Sequence, residues 1–401
     1  MSLSSVDTSA DVAPTLHPRR ACLYLAVVFV AACGVPTLMG LRRLHRGAAD
    51  ALGGLPVPPV LVLTAALMVL LAIPAIVLAV RMRAAHRDDS VIAVAYMVTV
   101  TVLLVTTGDL VPHGGRRVGA AAGMALAPTI VLVLLYRRAR PLPPRTRHAF
   151  MGAAGLGLLL SLCGYKPAAY LGTTVTVAAI VALILRLVDA PRPPLLVPLA
   201  PTVRVVHHDD LAVYVERPRT LGRELGRAAR AYLTGVVGLL LVMMLASAAG
   251  ALIAGMPDDG DKQRAALALD DMDVPLRIAA VTWTSIVETL VLMVLVVVLL
   301  ERAHRPLTEI VAVAALGRVL VHLYAGTASL IIAALVLGGL SVLLYRRTRQ
   351  VVPLIAGHLV FDCATVFSPK AMLPAFVAGL VMFVCATGLR YTRLTRAAGD
   401  A

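Results

Sequence analysis

Residues 278–300 read IAAVTWTSIVETLVLMVLVVVLL, an unbroken apolar run whose one charged side chain is Glu288. A helix of this length rises about 35 Å, enough to cross a hydrocarbon core about 30 Å thick. Water cannot reach the backbone there, so the run must satisfy its own hydrogen bonds, which a helix does. A carboxylate inside such a segment is costly, and a chain that keeps one uses it or pairs it. The stretch therefore reads as a transmembrane helix with a functional candidate near its middle.

Working outward, further apolar runs lie near 21–40, 58–80, 91–108, 118–136, 149–165, 168–188, 231–256, 308–325, 327–345, 350–367 and 371–390. With the run extended to 278–301, the expectation is an all-α, polytopic transmembrane bundle of about twelve spans. Gly164 and Lys166-Pro167 make the fifth and sixth runs the place for a kink or re-entrant element. Composition agrees. The 401 residues are 59% hydrophobic and 15% charged, with a mean hydropathy of +0.88, whereas soluble domains are about 45–50% apolar and about 25% charged. This excludes an ordinary cytosolic enzyme and a disordered chain.

The formal net charge is +15. Its Lys and Arg residues lie between the apolar runs, so an anionic membrane surface explains them better than nucleic acid does. With both termini cytoplasmic, cytoplasmic segments carry 25 Lys and Arg and external segments 10, the asymmetry expected of that orientation in a cell membrane. Loop 257–277, with Asp258, Asp259, Asp261, Asp270, Asp271 and Asp273, then lies outside. Residues 189–230, Pro-rich at first and basic from Arg217 to Arg230, divide N-terminal helices 1–188 from a C-terminal domain 231–401. They read as a cytoplasmic linker whose last turns form a surface helix. The five cysteines sit in apolar runs without a CxxC pair, which excludes a disulfide framework or zinc knuckle.

The ionisable side chains within the spans cluster in the C-terminal half: Glu288, Arg318, His322, His358 and Asp362. At 1.5 Å per residue, Glu288 lies about 15 Å below its face, His322 about 21 Å, and His358 and Asp362 about 12 and 18 Å. All four catalytic candidates thus fall in one central layer. His358 and Asp362 are spaced i, i+4 and share a helix face, as do Arg318 and His322. Ser285, Thr289 and Tyr324 are further candidates for lining the site. A buried glutamate suits general-base activation of water, and histidines suit orientation of water or stabilisation of an oxyanion. The same Glu, His, His and Asp could alternatively ligate zinc. Either reading leads to hydrolysis of an acyl bond near the membrane. His207-His208-Asp209-Asp210, in a polar loop, reads as solvated surface, and there is no HExxH, GxSxG or Walker loop.

These residues resemble the CPBP family of CAAX proteases and bacteriocin-processing enzymes, which are intramembrane endopeptidases. The family pattern is EExxxR, then FxxxH, then HxxxN or HxxxD. Here the motifs read Glu288-Thr-Leu-Val-Leu-Met293, Arg318-Val-Leu-Val-His322 and His358-Leu-Val-Phe-Asp362. Thr289 stands in place of the second Glu, Met293 in place of Arg, and Arg318 in place of Phe. The resemblance spans about 278–390. It implies that Glu288 and His322 activate water and that His358 with Asp362 holds the oxyanion. It also implies a membrane-anchored or lipidated peptide substrate, with zinc left open. Two other readings stay open: a catalytically degenerate scaffold or immunity protein of the same fold, and a transporter.

Overall fold

The computed structural model describes residues 16–51, 99, 116–139, 142–163, 165–189, 201–208, 211–218, 220–255, 273–323 and 328–399. The runs near 58–80 and 91–108 lie outside the described residues, apart from Thr99, as do Tyr324, Asp209, Asp210 and most of the acidic loop. The other predicted runs coincide with helices. These are α1 (Pro18–Ala51), α2 (Arg116–Arg138), α3 (Pro144–Leu162), α4 (Lys166–Leu187), α5 (Leu221–Ala254), α6 (Val274–Glu288), α7 (Val296–Arg302), α8 (Leu307–His322), α9 (Ala328–Thr348), α10 (Val352–Val366) and α11 (Met372–Gly399). A π-helical turn, Thr289–Leu295, joins α6 to α7, so Val274–Arg302 is one continuous rod.

The bundle is all-α as expected, and the 189–230 segment adds one antiparallel hairpin, Pro201–His208 paired with Leu211–Pro218. His207 and His208 lie on its first strand. The surface helix expected at the end of this segment is instead the start of α5, which runs unbroken through 34 residues. The twelve-span count is not confirmed. Among the described residues, six helices are long and apolar enough to cross a membrane: Pro18–Thr37, Lys166–Leu187, Leu221–Ala254, Val274–Arg302, Ala328–Thr348 and Met372–Leu389. The helices α8 and α10 have 16 and 15 residues, or about 24 and 22 Å, short of a full crossing.

Local chemistry sets the ends of the central rod. The Asp273 carboxylate caps α6 by accepting from the Leu276 amide at 3.0 Å, and Pro275 sits where a free amide is not needed. At the other end, His304 adopts a left-handed φ of 52°. The amides of Arg305 and His304 bond to the carbonyls of Leu300 and Glu301, both at 2.9 Å. This is a Schellman closure, and Pro306 follows it as the cap residue of α8. The tight turn folds α8 back along the rod. Beside it, Arg349 grips Glu301 through two bonds of 2.7 and 2.8 Å, and Arg346 adds a third at 2.7 Å. The bonds to Glu301 push the Arg349 guanidinium above its ordinary pKa.

The rod is the centre of the bundle, with 83% of its most apolar window buried, against 28% for α5 and 11% for α11. Exposed Leu241, Met244, Leu245, Leu252 and Ile253 on α5 are suited to acyl chains. One apolar core joins α1, α2 and α4 to the rod, α8, α9 and α10. Tyr170 of α4 meets Trp283 of α6 edge to face, with ring centroids 5.9 Å apart. Two glycines allow close helix approach near the polar layer. A β-carbon on Gly338 of α9 would sit 2.6 Å from the Ala315 α-carbon of α8. One on Gly357 of α10 would sit 3.2 Å from the Val236 backbone of α5.

Candidate active site

The side chains predicted to share a layer meet where the rod, α8 and α10 converge. Glu288 is the last residue of α6 before the π-turn and is 2% exposed. A π-turn inserts an extra residue into the helical ladder, and such turns recur at functional sites. Arg318, equally buried on α8, donates through Nη1 to the Glu288 carboxylate. The pair leaves neither charge uncompensated in an apolar interior.

His358 stands beside this pair. Its Nε2 lies 4.0 Å from Glu288 Oε2 and 3.6 Å from Asp362 Oδ2. On the other side of the ring, Nδ1 lies 3.3 Å from the Thr289 hydroxyl. The Ser285 hydroxyl, with one proton to give, lies 2.9 Å from Asp362 Oδ2 and 2.8 Å from the Val281 carbonyl of its own helix. His322 directs Nδ1 to the Arg318 carbonyl at 2.9 Å. A carbonyl only accepts, so in the neutral ring Nδ1 carries the proton and Nε2 the lone pair.

His322, His358 and Asp362 share the wall of a cavity of about 280 Å³. Its remaining lining is mostly apolar, including Met243, Leu337 and Phe361, with Ser247, Thr284 and Thr365 as further polar groups. Glu288 lies behind His358 and is not part of this lining. The structure thus brings Glu288, His358 and Asp362 together and sets His322 on the same cavity. It adds Ser285 and Thr289 as direct partners of Asp362 and His358. Ser247 and Thr284 carried no signal in the sequence, because lone hydroxyls in a helix more often bond their own backbone.

Zinc takes four ligands at about 2.0–2.3 Å. Among the described residues, no three His, Cys, Asp or Glu side chains group in that way. The carboxylate of Glu288 is bound by Arg318, Nδ1 of His358 by Thr289, and Oδ2 of Asp362 by Ser285. As arranged, the donor set does not fit a zinc ion.

Comparison with curated proteins and with solved structures returned no match. Residues 271–364 match the family described as type II CAAX prenyl endopeptidase Rce1-like. This interval contains Glu288, Arg318, His322, His358 and Asp362. The segment that carries the site is thus similar to the CAAX-protease family, and the match supports that resemblance.

Proposed function

We propose that this membrane protein is an intramembrane endopeptidase that cleaves a prenylated or otherwise membrane-anchored peptide, using Glu288, His322, His358 and Asp362. The observation that carries the reading is one cavity walled by His322, His358 and Asp362, with Glu288 directly behind His358, inside the family-matched segment. A water bound there gives its proton to the lone-pair nitrogen of His322 while its oxygen attacks the peptide carbonyl, and Glu288, behind His358, holds the charge of the site in place with Arg318. The Nε2–H of His358, facing two carboxylates, donates to the oxyanion that forms. Collapse of the tetrahedral intermediate breaks the C–N bond, and the departing amine takes the proton back from the base. Arg318 offsets the charge of Glu288 throughout. The cell membrane as location, with both termini cytoplasmic, rests on the Lys and Arg asymmetry of the loops.

The test is cleavage by the purified full chain, in nanodiscs, of a quenched fluorescent peptide ending in farnesyl-cysteine and three further residues. The expected result is release of those three residues, shown by mass spectrometry, and its loss in His358→Ala. Equal turnover by wild type and His358→Ala would remove the proposal.

A further inference from the structure

Ser285 and Thr289 are spaced i, i+4 on the rod, and His358 and Asp362 are spaced i, i+4 on α10. The contacts cross in register. Ser285 meets Asp362 at 2.9 Å, and Thr289 meets His358 at 3.3 Å. Two antiparallel helices therefore present a two-rung ladder, each rung joining one hydroxyl to one proposed site residue. Both hydroxyl residues are fully buried, so the rungs are shielded from competing solvent.

Thr289 differs from six other helical threonines in that no bond to the carbonyl four residues back accompanies its contact with another helix. Thr129, Thr173, Thr174, Thr176, Thr284 and Thr387 each bond the carbonyl four residues back, at 2.8–3.0 Å. Thr289 opens the π-turn, where that α-helical geometry is interrupted, and its hydroxyl reaches across to His358. The position at which the first motif departs from the family thus carries a specific contact.

We infer that Thr289 and Ser285 are positioning residues, with Thr289 setting the tautomer of His358 and Ser285 holding Asp362 beside it. Two carboxylate oxygens lie on the Nε2 side of His358, and carboxylates only accept. The proton belongs on Nε2, and Nδ1 then accepts the hydroxyl proton of Thr289. This leaves Nε2–H as the donor at the cavity wall, the role that the proposed function requires of His358, so the inference rests on that reading for its purpose. Its geometry stands separately.

The experiment uses the full chain, labelled with ¹⁵N-histidine, in nanodiscs, with the His358 signal identified by its loss in His358→Gln. Solid-state NMR distinguishes a lone-pair nitrogen from a protonated one. Wild type should show a lone-pair Nδ1, Thr289→Val a mixture of tautomers, and Thr289→Ser the wild-type pattern again. On the farnesylated peptide, Thr289→Val should lower kcat about 100-fold, the scale of a misplaced catalytic group, with KM nearly unchanged, and Thr289→Ser should recover most of it. Ser285→Ala should lower kcat less and leave the His358 tautomer as it is. An unaltered His358 signal in Thr289→Val, or no recovery in Thr289→Ser, overturns the inference. A wild-type chain inactive on the peptide overturns the proposed function instead, and the tautomer measurement still decides this one.

Discussion

At the residue scale, the Glu288–Arg318 pair is the most consequential contact. Removing one partner of a buried ion pair strands a charge in a low-dielectric interior, at about 3–5 kcal/mol. Arg318→Met should therefore lower thermal stability strongly. The double variant Glu288→Gln/Arg318→Met should recover most of the loss, because it leaves no unpaired charge. A double-mutant cycle in detergent measures this, and strictly additive losses would show that the two side chains do not depend on each other. The same pairing bears on metal dependence. Arg318 already supplies the positive charge at Glu288, so turnover should persist after treatment with o-phenanthroline and EDTA. Loss of activity restored specifically by zinc would contradict that expectation.

Legibility in the sequence also ended at this scale. Helix rise alone led to the expectation that Glu288, His322, His358 and Asp362 share a layer, and the structure brings three of the four into one cluster, with His322 on the same cavity. Their partners did not follow. Helix rotation about its axis decides that Arg318 meets Glu288 and that Ser285 meets Asp362, and a uniformly apolar run carries no periodic signal to set rotation. The π-turn was invisible for the same reason, since TLVLMVL has no proline, glycine or polar break to mark it.

At the scale of elements, the site depends on where three helices stop and how closely they approach. The Schellman turn at His304 returns α8 beside the rod, and Gly338 lets α9 hold α8 tightly. Gly338→Leu places a side chain into the α8 backbone. Overpacking of this kind costs about 1–3 kcal/mol and should shift α8, which carries Arg318 and His322. Helix content by circular dichroism should stay constant while peptide cleavage falls. Undiminished cleavage would show that the α8–α9 spacing is irrelevant to the site. Polar groups on apolar helices of a membrane protein are tolerated where protein or a cavity surrounds them, and here Arg318, His322, His358 and Asp362 are so surrounded.

At the scale of the whole molecule, the apolar core does not respect the boundary between the N-terminal helices and the family-matched segment. Residues of α1, α2 and α4 pack into the same cluster as the rod, and the Leu16 amide bonds the Arg302 carbonyl at 3.0 Å. The 231–401 fragment would expose the apolar face of the rod that α1 and α4 now cover. It should accumulate poorly and be protease-sensitive, whereas co-expression with 1–230 should rescue it. A stable, active 231–401 fragment would show that the N-terminal helices are an independent addition. The multi-pass helical character was plain from composition, because apolar runs of this length have few alternatives in a bilayer. The hairpin was not, since residues 201–218 lie in a stretch whose prolines and charges signal a linker.

The most direct test of the account is the turnover of the farnesylated peptide by Glu288→Gln, with thermal stability measured on the same preparation. The account predicts a protein that still folds, less stable than wild type because Arg318 loses its ionised partner, and whose rate is lower by about 100-fold, the scale of a misplaced catalytic group. A folded Glu288→Gln protein that cleaves at the wild-type rate would contradict it.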